Sequence, residues 1–576
     1  MEEQTNYDAI VVGAGFAGLI AARDLAARGQ RVVVLESQER IGGRTWYKEF
    51  PGSGRKVEYG GTWFSTESMS SLATEIDRYR VEVVDQPAPK TFVWDTGGVR
   101  RATAPIPAEE FGAAEAFLAA LHRAMAAVPG GAIVAGTDYS EWDVAITEWE
   151  PTKALPLASR EFVYAWAAMY GGCAPGEVSV LHYARMMAEF GDRASALYDG
   201  LAQKFAHGTT QLAEAILADS GADIVLSTPV TAIAQDSTGV RVDTARGPYT
   251  AETIVCTVPL NALHRIRFEP PLPSDKAAAI RAGHPCRSIK VWARATGVPE
   301  GLFALGWGGP IQWLSNEYSL ADGSSLVVGF GYDPQALRAS DPRAVEAAIR
   351  KYAPDAVVLA CDAHDWDSDD NSDGAWSIWG PGWVVAGHEQ AFDKPHGRVH
   401  FASSDLAKQW PGWIDGAIHS GAAQARKAAD PDNQEKEGNG MTEKTLAAEQ
   451  AAVFRRTDIP AVSPDWPGVR SRWITPPPAE GGWIGGLLAE WELEAAGWAD
   501  THPHDEYAFV IEGELHVECA GVEHVLSPGD TICVPGGQTG RYWAPVYARM
   551  LGVWGPNPDG DETEHGECFA IKGDAQ

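Results

Sequence analysis

The 576-residue chain is short of several things, and each shortage excludes a class of protein. No apolar run reaches the roughly 18 residues that a bilayer-crossing helix needs, so no membrane is expected as a partner. Residues 1–7 contain neither a basic segment nor the apolar core of a secretory signal, which points to a cytoplasmic protein. Cysteine is sparse: Cys173, Cys256, Cys286, Cys361, Cys519, Cys533 and Cys568 make an odd set without CxxC spacing. That pattern excludes a disulfide framework and reads as buried or incidental thiols in a reducing compartment. Basic residues are outnumbered, 46 against 78 acidic, for a net charge of −32. Such a surface repels nucleic acid and anionic lipid. The acidity serves solubility, with the steering of a cationic substrate as the sharper alternative.

What remains is ordinary in bulk, 45% hydrophobic and 22% charged, and long enough for two to four domains. The informative stretch is Tyr7 to Arg44. Ala9 to Val12 is an apolar run suited to a buried parallel strand, and Leu19 to Arg28 follows with helical spacing. Between them, Gly13 permits a tight turn, Gly15 lets backbone N–H groups approach a pyrophosphate, and Gly18 lets the helix pack closely on the strand. A second run, Arg31 to Leu35, ends in Glu36, placed to accept ribose hydroxyls and to disfavour the extra phosphate of NADP. Together these parts specify a dinucleotide cradle.

Ile41-Gly42-Gly43-Arg44 and Glu58-Tyr59-Gly60-Gly61-Thr62-Trp63 narrow the nucleotide. Both segments resemble the flavin-contacting motifs of the flavin-dependent amine oxidase, or monoamine oxidase, family. The resemblance implies FAD rather than NAD, and an α/β fold in which a Rossmann-like FAD-binding domain is interleaved with an α+β substrate domain. On this reading residues 1–428 form the oxidase, with FAD-binding segments at about 1–65, 205–290 and 385–428 and substrate segments at about 66–204 and 291–384. Ala108 to Val128 and Arg160 to Gly191 read as helices of the substrate domain, the second interrupted at residues 171–176. Their aromatics Phe162, Tyr164, Trp166 and Tyr170 are expected in the core.

The family pattern assigns cofactor contacts to Phe16, Ala17, Gly42, Gly43, Arg44, Gly60, Gly61, Thr62, Trp63, Val230, Ser404, Asp405 and Ile414, beside Gly13, Gly15, Gly18 and Glu36. Ser403 stands where a glycine is usual, and Asp405 near the position of the usual glutamate. Lys290 interrupts the apolar alternation Ser288-Ile289-Lys290-Val291-Trp292. The resemblance makes it the lysine that hydrogen-bonds a water beside flavin N5. Trp376 and Trp413 are expected as the two walls of an aromatic cage, Trp413 in place of the usual tyrosine. Ala375 lies where covalently flavinylated relatives carry a cysteine, so the FAD should be noncovalent.

The implied reaction is oxidation of an amine by hydride transfer to flavin N5. The products are an imine, which hydrolyses to an aldehyde or ketone, and hydrogen peroxide from dioxygen. No acid–base pair is required, because the flavin carries the electrons.

Residues 429–457 are polar and glycine-containing and read as a linker. From residue 458 to residue 576 the pattern changes to short alternating strands between Gly and Pro turns. His502-Pro503-His504-Asp505-Glu506 with Gly513, and then Ser527-Pro528-Gly529-Asp530, resemble the two cupin motifs, which implies an all-β barrel. In that register Asp500 replaces the family's first histidine and Gly540 its third. Asp500, His502, His504 and Glu506 alternate, so in a strand they would share one face, and His502, His504 and Glu506 are the candidate ligands of a divalent metal. A metal-free cupin, kept for homo-oligomerisation or ligand shielding, is the competing reading.

Other functions stay open at this level. A flavin L-amino acid oxidase or monooxygenase shares the motifs but needs a cation for the substrate carboxylate. A bifunctional enzyme would let a metal-loaded cupin process the aldehyde. A ligand-binding protein would use flavin and cupin without turnover.

Overall fold

The computed structural model describes residues 7–191, 193, 200–429, 468–475, 487–555, 557 and 564–570. The chain divides into two compact units between residues 439 and 440. The expected linker lies outside the described residues apart from Ala429.

The first unit is built on a five-stranded parallel sheet in the order Asp223–Val225, Val32–Leu35, Ala9–Val12, Thr253–Cys256 and Val399–Phe401. Ala9–Val12 and Val32–Leu35 are buried along their whole length. This is why they read as unbroken apolar runs: both faces of a parallel sheet are covered. Helix Phe16–Ala26 leaves the first strand through the glycine turn and packs against helices Thr209–Ser220 and Ile414–Ala429. A Cβ on Gly18 would lie 2.0 Å from the Gly13 carbonyl oxygen, and one on Gly421 would lie 2.3 Å from that of Ala17. The two glycines thus let the preceding turn and the last helix each pack closely on helix Phe16–Ala26.

Strands from distant parts of the chain complete a second, seven-stranded sheet. Its order is Val357–His364, Ile289–Thr296, Ser325–Gly331, Trp313–Ser319, Leu302–Gly306, Thr91–Thr96 and Val99–Arg101. Thr91–Thr96 joins Leu302–Gly306 in parallel, so the substrate part is interleaved with the nucleotide part. The two expected helical stretches fold as Phe111–Ala126, after a 3-10 turn at Ala108–Glu110, and as Leu157–Gly171 and Val180–Glu189. The break between the latter two is a left-handed Gly172 followed by the 3-10 turn Pro175–Glu177.

The second unit, among its described residues, is all β. Leu487–Thr501 and Thr539–Trp554 pair along nearly their full length, and Glu506–Gly513 packs on the latter's other edge. Its core is an apolar set that includes Leu493, Val510, Leu515, Val517 and Tyr542.

Candidate active site

A cavity of about 480 Å³ runs through the first unit. Of the cofactor contacts expected from sequence, all but Gly18 and Asp405 border it, and so do Lys290, Trp376 and Trp413. At its nucleotide end the Glu36 carboxylate accepts the Ala14 N–H at 2.6 Å and the Gln38 N–H at 2.8 Å, which fixes it beside the glycine turn. Val230 lies on the same wall.

Asp405 sits behind the cavity rather than on it. Its Oδ1 accepts from Arg44 Nη2 at 2.7 Å and its Oδ2 accepts the Leu260 N–H at 2.9 Å. Arg44 also donates to the Ser404 hydroxyl and the Ala375 carbonyl, each at 2.9 Å. Burial alone would raise the pKa of Asp405, but Arg44, His284 and the two donors outweigh it and hold the carboxyl below its usual range. The expected cofactor contact of Asp405 therefore becomes an indirect one: it positions Arg44, and Arg44 faces the cavity. Gly18 likewise acts through packing, as its spacing implied.

Around Lys290 the wall is assembled from two segments. The lysine, on strand Ile289–Thr296, is 4% exposed and donates to the Gly60 carbonyl, to Thr62 Oγ1 at 2.6 Å and to the Glu58 carbonyl at 3.4 Å. Its ammonium lies 4.7 Å from the Trp63 ring centre. Glu58 is buried below it. One carboxylate oxygen accepts the Thr209 N–H at 2.6 Å, and the other has no partner among the described residues. Burial pushes the Lys290 pKa down and the Glu58 pKa up, and the charge of each opposes the shift of the other. Thr62 and Trp63 also border a second, polar cavity of about 250 Å³ that contains the Lys204–Glu317 ion pair at 2.8 Å.

The two indoles are fixed by their surroundings. Trp376 donates its Nε1–H to the Tyr170 carbonyl at 2.7 Å and meets Phe330 edge-on at 6.0 Å. Trp413, at the start of helix Ile414–Ala429, packs edge-on against Phe190 at 5.8 Å and Trp410 at 6.2 Å. Of the four aromatics expected in the core, Tyr170 is buried there and also borders the cavity, whereas Phe162, Tyr164 and Trp166 are half-buried. Met169, His182, Met186 and Phe330 also border it and were not marked by any motif. Each sits on a helix or strand with buried residues on more than one face, so no single stripe marks it.

A glycine-lined polar end, an arginine at its middle and an apolar end holding a lysine fit a flavin dinucleotide in one continuous cavity. Ala375 borders it without a nucleophile.

In the second unit the expected strand through residues 500–506 does not form. The chain leaves its strand at Thr501, turns at Pro503 and re-enters at Glu506. Proline has no N–H to continue the ladder. The turn brings Asp500, His502 and Glu506 together, with donor atoms all within 4.8 Å of one another. His504 stacks on His502 at 5.0 Å and is not part of this group, so Asp500 takes the place expected for His504. Trp498 donates to Asp500 Oδ2 at 2.6 Å and Tyr542 donates to Glu506 at 2.7 Å. The buried Asp500 Oδ1 has no partner among the described residues. A Cβ at Gly540 would lie 2.8 Å from the Tyr542 hydroxyl, so the tyrosine fills the space beside the missing third histidine. One imidazole and two carboxylates, one with an orphaned oxygen, are a donor set that suits a divalent cation.

Comparison with known proteins agrees with this division. A family described as flavin containing amine oxidoreductase matches residues 16–429, and one described as cupin domain matches residues 489–553. Pseudooxynicotine dehydrogenase of Pseudomonas sp is 31% identical over 432 residues, which are 73% of this chain and 86% of the relative. (S)-6-hydroxynicotine oxidase of Paenarthrobacter nicotinovorans is 31% identical over 421 residues, 72% of this chain and 97% of the relative. The structure of wild-type putrescine oxidase bound to putrescine superposes with a TM-score of 0.66 at 23% identity, covering 74% of this chain and 99% of that one, which shows a shared fold.

Proposed function

Since the chain belongs to the flavin-containing amine oxidoreductase family, with FAD as its cofactor and a cupin domain C-terminal in sequence to the oxidoreductase part, we propose that it is an amine oxidase that passes its electrons to dioxygen. When bound, FAD would supply the two-electron acceptor for the hydride of the carbon that bears the amine. The glycine turn, Glu36 and Arg44 would hold the dinucleotide. Trp376 and Trp413 would flank the amine, their ring faces favouring the cationic form on entry and orienting the nitrogen once the proton is lost. Lys290, held by Gly60 and Thr62, would act through a water on the electron-transfer side of the site. The products would be an imine, which water hydrolyses to an aldehyde or ketone plus ammonia or an amine, and hydrogen peroxide, formed from dioxygen with the two electrons and two protons removed from the substrate.

The observation that carries this reading is the convergence of one buried lysine and two indoles from three remote segments on one cavity. The relatives named for nicotine-derived compounds support an amine carrying an aromatic ring as substrate. A peroxide-coupled screen over amines and amino acids tests it, with Lys290→Met and Trp413→Ala as comparisons. Turnover on an amine, slowed by both changes, is expected. Turnover indifferent to both would show that the site lies elsewhere. The orphaned Asp500 oxygen supports a second, separate reading, a divalent cation held by Asp500, His502 and Glu506 in the cupin domain.

A further inference from the structure

The cavity lining that includes Met169, Tyr170, Met186, Leu201, Trp376 and Trp413 also includes a histidine that the mechanism above does not use. This is His182, on helix Val180–Glu189, one turn before Met186 and only 5% exposed. The Trp379 backbone N–H donates to its Nδ1 at 3.3 Å. An imidazole that accepts at Nδ1 carries its hydrogen on Nε2 when neutral. Neutral it is, because burial, with Arg185 beside it, lowers the pKa to about 3. The ring is held by edge contacts with Trp379 at 5.9 Å and Tyr183 at 6.4 Å. Among the described residues nothing accepts the Nε2–H. Nε2 keeps accessible surface although the residue as a whole is buried, so its hydrogen opens onto the cavity, where solvent or a bound molecule can accept it.

We infer that the Nε2–H of His182 donates to the substrate, so that the pocket selects amines carrying an uncharged hydrogen-bond acceptor, such as an aromatic ring nitrogen or a carbonyl oxygen, in addition to the nitrogen that reacts. This rests on the amine oxidase reading and names a specificity residue for it. A carboxylate is a poorer match, because His182 offers a dipole and not a charge.

Benzylamine and its three aminomethylpyridine isosteres, each also as the N-methyl derivative, differ only in a ring nitrogen. Mixed with the FAD-loaded protein without oxygen, each gives a dissociation constant from the perturbed flavin absorbance and a separate rate of flavin bleaching. At least one pyridyl isomer should bind about five- to tenfold more tightly than its phenyl counterpart, the worth of one ordinary hydrogen bond. His182→Phe should abolish that preference. His182→Gln should keep it, since its amide nitrogen reaches the place of Nε2. Equal affinities for all isosteres in the wild type would overturn the inference, as would a preference that survives His182→Phe. Should His182→Phe fail to hold flavin, His182→Met takes its place: a preference that survives His182→Met overturns the inference in the same way. Failure of every amine to bleach the flavin would instead defeat the oxidase reading, and the dissociation constants would still report on His182.

Discussion

Replacing Asp405 by asparagine removes one charge from the buried pair that aims Arg44 into the cofactor cavity. The Asp405 side chain is fully buried and that of Arg44 is 16% exposed, so solvent screens the pair little. The two shortest hydrogen bonds to the carboxylate come from the Arg44 guanidinium at 2.7 Å and the Leu260 N–H at 2.9 Å, with the Ser404 hydroxyl at 3.4 Å as a longer third. Asparagine keeps one oxygen and can serve only one of the first two, turning an N–H toward the other. A hydrogen bond to a charged group contributes about 1.5–3 kcal/mol, and removing one partner of a buried pair costs about 3–5 kcal/mol. Arg44 retains the Ser404 and Ala375 oxygens, which places the loss near the low end, at about 3 kcal/mol. If about half of it falls on the cofactor site, FAD binds roughly tenfold more weakly.

Urea unfolding of the apoprotein, followed by tryptophan fluorescence, reads the first quantity, and FAD fluorescence titration reads the second. The pH dependence supplies an internal check. The folded-state pKa of Asp405 is depressed, so its contribution is present above the unfolded value of about 3.9 and is lost as pH falls toward the folded value. The gap between the wild type and Asp405→Asn should therefore close on acidification below about pH 3.9. An unchanged urea midpoint together with unchanged FAD affinity at neutral pH would refute the reasoning.

Three other outcomes follow from the same geometry. Burial lowers the pKa of Lys290, so the lysine loses its proton below the ordinary value of about 10.4; the oxygen-dependent step should slow as pH rises through that range, and in Lys290→Met it should be slow and flat, as read by stopped-flow reoxidation. Gly421→Ala puts a methyl group against the Ala17 carbonyl at the crossing of two helices; it should destabilise the first unit by about 1–3 kcal/mol, measured by urea unfolding. Metal analysis of the purified protein should find a divalent ion that is lost in His502→Ala while FAD content stays the same, whereas a metal-free wild type would leave Asp500, His502 and Glu506 as a hydrogen-bonded cluster.

The parts legible in the sequence are those whose physics is local. A glycine turn between an apolar run and a helix specifies the cradle within about thirty residues, because the turn, the phosphate approach and the helix packing each need a glycine at a fixed offset. Lys290 was legible for a related reason: a lysine inside an apolar strand calls for partners, and here it finds them at Gly60 and Thr62. What spacing could not convey is which remote residues meet. Asp405 lies one residue from Ser404, yet only Ser404 borders the cavity, a difference of side-chain direction within one 3-10 turn. His182 and Met186 belong to a helix buried on nearly all sides, where no apolar stripe distinguishes the cavity face from the core faces. In the cupin domain, alternation was read through Pro503 as though the strand continued, and the turn exchanged His504 for Asp500.

The most direct test is spectroscopic: the purified protein, loaded with FAD and freed of oxygen, is mixed with an arylalkylamine such as benzylamine while the flavin absorbance is followed. The yellow band should bleach, air should restore it with about one peroxide released per flavin, and Trp413→Ala should bleach more slowly. A protein that stays colourless after incubation with FAD, or a flavin that no amine bleaches, would contradict the amine oxidase reading.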